Sequence, residues 1–150
     1  MIRLLPRLLV LVAVVLAVVG ATVMIRAARS DQAAADLRDV ARSVELPAGA
    51  TPFSGVTDGC PGAQYVRCGR LEQDVDEVAQ QMRVTLSVIA EEQAKQSCTT
   101  LPSRQPGVLR DCTIRIDRHG HGVMILVGPQ VRRMDGQVVL EGSEVRIAAY

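Results

Sequence analysis

The residues best suited by type and spacing to do chemistry are Asp117, His119 and His121, and the four cysteines Cys60, Cys68, Cys98 and Cys112. On an extended strand Asp117, His119 and His121 would point to one side. A His-x-His pair with a carboxylate is a donor set for zinc or copper. The same stretch, Arg118-His119-Gly120-His121-Gly122, also reads as a hairpin tip, and a turn there breaks the alternation. The turn reading carries more weight, so the three residues are weak metal candidates and no metal or cofactor is expected. A pH-sensing role for the two histidines has still less support.

An even number of cysteines in a small exported domain reads as a disulfide framework. No Cys-x-x-Cys occurs, which removes a thioredoxin-like redox motif. The spacing is also too loose for the close ligand pairs of a structural zinc site. Of the three possible pairings, Cys60–Cys68 and Cys98–Cys112 are expected. The first would pin the end of a linker to a strand. The second would close a Pro-containing loop, a restraint of about 3 kcal/mol in the chain-entropy view.

Other signatures of catalysis are missing. There is no Gly-x-Ser-x-Gly elbow, and Ser54, Ser87, Ser97, Ser103 and Ser143 have no evident histidine partner in sequence. Asp74 with Glu77, and Glu91 with Glu92, could form acid/base pairs, but on the polar face of a helix they read as solvated charge. No phosphate loop or dinucleotide fingerprint is present. With 17 basic residues against 16 acidic, a net charge of +1 implies no polyanionic partner. Three aromatics and no Trp leave little for base stacking or cation cages. Nucleic acid is therefore not an expected partner, nor is enzymatic activity expected. Arg115, Arg118, Arg132 and Arg133 form a local basic group that reads as edge protection on neighbouring strands.

The elements that must carry these residues begin with a membrane segment. Residues 8–25, LLVLVAVVLAVVGATVMI, contain no charged side chain, and that length suits a hydrocarbon core of about 30 Å. Residues 1–7 carry Arg3 and Arg7 and are read as cytoplasmic. Arg26, Arg29 and Asp31 follow the span, so the charge bias is slight, and the cysteines favour an extracytoplasmic remainder. The alternative is a signal peptide cleaved near Val19-Gly20-Ala21, giving a secreted product.

Beyond the span, Ala33, Ala34, Leu37, Val40, Ala41 and Val44 recur at helical spacing, predicting a helical stalk over 26–46. A second reading has this helix pack on a partner's surface. Pro47 stops it, and residues 47–62 read as a Pro/Gly-rich linker. The folded domain is expected over 63–150. A strand is predicted at Gln64–Cys68 and a long helix from Leu71 to about Gln93, with acidic residues in its first turns. Residues 98–110 read as a loop. Strands follow at Cys112–Asp117 and Val123–Val127, with a break at Gly128-Pro129. Asp135-Gly136 is predicted to turn a hairpin between Val131–Met134 and Gln137–Leu140. A last strand holds Val145, Ile147 and Ala149.

The expected fold class is α+β: a single N-terminal transmembrane helix plus a two-layer domain of one long helix on a mostly antiparallel sheet. The expected function is a membrane-anchored, extracytoplasmic, non-enzymatic interaction or accessory module of the bacterial cell envelope. It would hold membrane lipid through residues 8–25 and a protein partner at the membrane. The alternatives are a binding module for a small apolar or envelope-derived ligand seated between helix and sheet, and a metal protein built on Asp117, His119 and His121.

Overall fold

The computed structural model describes residues 5–51, 60, 65–101, 109–134 and 137–150. Arg3, most of the Pro/Gly-rich linker, the centre of the Pro102–Gly107 loop, the Asp135-Gly136 turn, Ser54 and Ser103 lie outside the described residues.

The chain opens with α1 (Leu5–Ser43), followed by β1 (Tyr65–Leu71), α2 (Val75–Ile89), β2 (Lys95–Leu101), β3 (Leu109–Arg118), β4 (His121–Met134) and β5 (Gln137–Ala149). The strands form one antiparallel sheet in the order β1-β5-β4-β3-β2. The architecture is α+β, with an N-terminal helix long and apolar enough to cross a membrane.

α1 is a single helix of 39 residues, about 58 Å at 1.5 Å per residue. No helix end interrupts it at Ser30 or Asp31. From Val12 to Ile25 it lies outside the packed domain: Val12, Val15, Leu16, Val19, Met24 and Ile25 are all exposed. Its C-terminal part behaves differently. Leu37, Ala41 and Val44 are buried to 1% exposure or less and join the core of the sheet. The segment expected to be a free stalk is therefore a layer of the domain, and the folded unit starts near Leu37, not at residue 63. Spacings of four and three place these three residues on one side of the helix, and the sheet covers that side.

The sheet's inner face carries Cys112, Ile114 and Ile116 from β3, Val123, Ile125 and Val127 from β4, and Val145 and Ile147 from β5, all essentially buried. The register sets Ile114, Ile125 and Ile147 side by side, with Cys112, Val127 and Val145 beside them. α2 covers the β3 side through Val75, Val78, Ala79, Met82 and Leu86, and α1 covers the β4–β5 side. Two helices on one face explain why the apolar run Val123–Val127 is less ambiguous than it looks. Its odd residues enter the core, while Met124 and Leu126 on the other face stay half-buried.

Several boundaries differ from expectation. Leu71 ends β1 opposite Ser143 and does not open the helix. α2 starts after Asp74, whose carboxylate accepts a hydrogen bond from the Asp76 amide at 2.8 Å, an ordinary N-cap. β2, expected to be loop, pairs along its length with β3. It is an edge strand, exposed on both faces except at Cys98 and Leu101, so no apolar alternation marks it. β4 runs through Gly128-Pro129. Pairing to β3 ends at Val127, so the amide that Pro129 lacks has no β3 partner to miss. β5 likewise runs through Gly142-Ser143, where the register to β4 shifts beside Gln130/Val131. Gly142 has φ +135°, and a Cβ there would collide with the Leu71 carbonyl, a position that only glycine fits.

Two contacts fix the direction of α1 across the sheet. Ser30 Oγ lies 3.1 Å from His121 Nε2 at the start of β4. Sixteen residues on, Leu46 packs against Gly69, which pairs with Val145 and through it with Val127. The helix therefore climbs the sheet in the direction of β4. The turn between β3 and β4 and the C-terminal Tyr150 lie at the end from which the apolar helix departs. The β4–β5 hairpin points to the opposite end.

Candidate functional site

The sequence candidates do not gather into one centre. His119 has φ +52° and Gly120 φ +87°, a two-residue turn with both central residues left-handed, as right-twisted hairpins favour. The turn separates the side chains that an extended strand would have aligned. The Asp117 carboxylate accepts a hydrogen bond from the Tyr150 hydroxyl and lies 3.6 Å from the Arg115 guanidinium. His121 faces Ser30 on α1. Each of Asp117 and His121 thus has a local structural contact, and His119 occupies the turn. Burial, followed by the hydrogen bond and charge of Asp117, raises the Tyr150 pKa above its ordinary value.

Cys98 and Cys112 stand directly opposite each other on β2 and β3, with Cα atoms 4.1 Å apart and their sulfurs at bonding distance. Cys60 and Cys68 form the other close pair, with Cα atoms 5.4 Å apart. Asp76 approaches the first pair, its Oδ1 3.9 Å from Cys112 Sγ, and these three residues could by distance alone hold a metal ion. Sulfurs joined to each other are not thiolate ligands, so in the oxidised protein this group has a carboxylate and no soft donor.

Among the other described candidates, Glu77, Glu91 and Ser97 are exposed, and several of the rest have structural partners. Asp76 accepts from Arg110 at 2.9 Å near the start of α2. Near its end, Arg118 donates to Glu92 and to the Ala90 carbonyl, both at 2.7 Å. These two arginines set α2 along β3, and Arg118 also suits the negative end of the helix dipole. As partly exposed pairs they determine position more than stability. Ser87 Oγ accepts from the Ala94 amide. Ser143 is fully buried, and its hydroxyl has no partner among the described residues.

Between helices and sheet, where the alternative reading would seat a small apolar ligand, lie the buried side chains of the core. A cleft of about 930 Å³ lies elsewhere, between the segment following α1 (Ala48, Gly49, Thr51) and the bulge of β4 and β5, with Arg70, Glu72, Gln73, Gln130 and Glu141 on its walls. The cleft is open, and its lining mixes polar and apolar groups, Leu71 among the latter.

The most distinctive exposed feature is the far part of the β4–β5 hairpin. Among the described residues, Val131–Met134 and Leu140–Gln137 pair with one another alone, because β3 stops pairing at Val127 and β1 stops at Ser143. The result is a two-stranded ribbon of roughly four residues per strand, about 13 Å long, with neither backbone edge paired to another strand among the described residues. Val131 and Leu140 sit opposite each other and are about half exposed, as are Met134 and Val139. Arg132 pairs with Glu141 at 3.3 Å on the ribbon's flank. The sequence contained each residue of this ribbon but not its isolation, which follows from where β1 and β3 end.

Comparisons with protein-family models, curated proteins and solved structures give no match for this chain.

Proposed function

We propose that this protein is a single-pass membrane protein with its N-terminus in the cytoplasm, and that its domain is a non-enzymatic interaction or accessory module outside it, in the bacterial cell envelope. The observation that carries the reading is the β4–β5 ribbon, held at the end of the domain remote from the membrane helix, with Val131, Met134, Val139 and Leu140 exposed on it. Open strand edges beside apolar side chains suit recognition by strand addition, in which backbone hydrogen bonds supply affinity and alternate side chains supply selectivity. Arg132 beside the apolar residues limits indiscriminate edge pairing.

Three observations support the membrane placement. The apolar part of α1 is exposed from Val12 to Ile25, an arrangement that water disfavours and lipid accepts. The close cysteine pairs suit an oxidising compartment. The first charged residues after the span, Arg26 and Arg29, precede the first contact with the domain at Ser30.

The test is site-specific photocrosslinking of the full-length protein in its native membrane. A photoreactive residue at Val139 should give a discrete adduct with another envelope protein, and one at Thr100 on the β2 edge should not. Equal patterns at both positions, or no adduct at Val139, would refute the ribbon as the docking element.

A further inference from the structure

The opposite end of the sheet has its height above the membrane fixed by geometry. α1 is continuous from Leu5 to Ser43, so distance along it is set by the helical rise. Ser30 follows Ile25, the last residue of the apolar run, by five positions, or about 7.5 Å. The headgroup layer on one side of a bilayer is about 5–7 Å thick, from the difference between the full bilayer and its hydrocarbon core. His121 lies beside Ser30, at the outer boundary of that layer. β3 descends toward the membrane and β4 climbs away from it, so His119 and Gly120 lie lower still. Arg26 occupies the same side of α1 as Ser30, one helical turn closer to the lipid.

What lies at this level suits headgroups. Tyr150 is here, paired through its backbone with Gly122 at 2.9 and 3.0 Å. The Tyr150 ring lies over Gly122 and remains half exposed. Tyrosine is favoured at membrane–water interfaces because one end of its ring is apolar and the other polar. Arg26 and Arg29 are exposed on α1 near this end, with guanidinium groups suited to phosphate oxygens. The left-handed backbone of His119 brings an imidazole to the tip, where neither β2 nor β5 covers it.

We infer that the turn between β3 and β4, together with Tyr150, is seated in the phospholipid headgroup layer of the leaflet from which α1 emerges, with lipid phosphates as its partner. The helix and the sheet then hold the domain at two points, and the ribbon is held upright at the far end. This rests on the reading of α1 as a membrane anchor.

The experiment is amide NMR of the full-length protein in phospholipid nanodiscs, with and without a lipid bearing a gadolinium chelate on its headgroup. Seating in the headgroups predicts loss of most peak intensity at Gly120, His121 and Tyr150, as at Ala27, with Arg132 and Glu141 unchanged. Broadening at Ala27 with Gly120 and Tyr150 as sharp as Arg132 would overturn the seating and leave the anchor standing. A sharp Ala27 would remove the anchor and the seating together. A second variant, with seven helix-forming residues inserted after Ala28, lifts the domain by about 10 Å with only about 20° of rotation. Peaks of Gly120 and Tyr150 should then recover while Ala27 stays broadened; no recovery would contradict the stated height.

Discussion

Leu37→Ala tests whether the long helix with the apolar N-terminal run is also a structural layer of the domain. Leu37 is 1% exposed and packs with Ala41 and Val44 onto the β4–β5 side of the core. Replacing a buried leucine by alanine costs about 2–5 kcal/mol, combining lost transfer energy with the cavity left behind. α1 is anchored at both ends of this contact, by Ser30 on β4 and Leu46 on β1, so the site has little freedom to collapse. A value of about 3 kcal/mol is reasonable against a total stability of roughly 5–15 kcal/mol. For a folded unit of about 110 residues, with an unfolding entropy near 2.1 cal/mol/K per residue, this lowers Tm by about 13 °C. Thermal unfolding of the full chain in detergent micelles, followed by tyrosine emission, measures it without interference from Trp, which the chain lacks. Leu16→Ala, in the exposed apolar part of the same helix, should leave Tm unchanged. A Leu37→Ala protein within about 0.5 kcal/mol of wild type, the range of ordinary surface changes, would refute the packing of α1 as part of the core.

Further predictions follow from single positions. Gly142→Ala should destabilise by more than about 2 kcal/mol, because the new methyl meets the Leu71 carbonyl where φ is already left-handed; urea unfolding reads this directly. Ser143→Ala should be neutral or stabilising, since it removes a buried hydroxyl without a partner among the described residues. Joint replacement of Cys98 and Cys112 by alanine should cost about 3 kcal/mol for the loop they close, and peptide mapping of the oxidised wild type should recover that pair and Cys60–Cys68. The raised Tyr150 pKa means the neutral phenol is favoured by folding. Its contribution is therefore complete below the unfolded tyrosine pKa and is lost as pH rises through the higher folded value; Asp117→Asn should move the ultraviolet titration of Tyr150 back toward the ordinary value.

Much of this fold was legible wherever one face of an element is buried and the other is not. The alternation of Cys112, Ile114 and Ile116 and the helical stripe from Val75 to Leu86 both identify their elements because each meets the core on one side. β2 was hidden because Gln96, Ser97, Thr99 and Thr100 are exposed on an edge, leaving no pattern to read. The stalk was misjudged for a different reason. Leu37, Ala41 and Val44 form a narrow stripe that a free amphipathic helix and a packed one share, and only the sheet's vacant half decides between them. Leu71 continues the helical spacing of α2 by coincidence, and Asp74 as N-cap was the signal that should have moved the start. The ribbon was visible as a hairpin from its composition, but its exposure depends on the lengths of β1 and β3, which no local pattern gives. Likewise, the proximity of Ser30 to His121 joins residues 91 apart in sequence.

The central claim is that α1 anchors the domain outside the cytoplasm, and topology mapping in living bacterial cells tests it most directly. Two reporter enzymes, one active only outside the cytoplasm and one only inside it, are each fused after Tyr150 of the full chain. The expected result is activity from the external reporter in the membrane fraction and none from the internal one. Activity of the internal reporter would contradict the orientation, and external activity found only in the soluble fraction would show that the helix is removed and does not anchor.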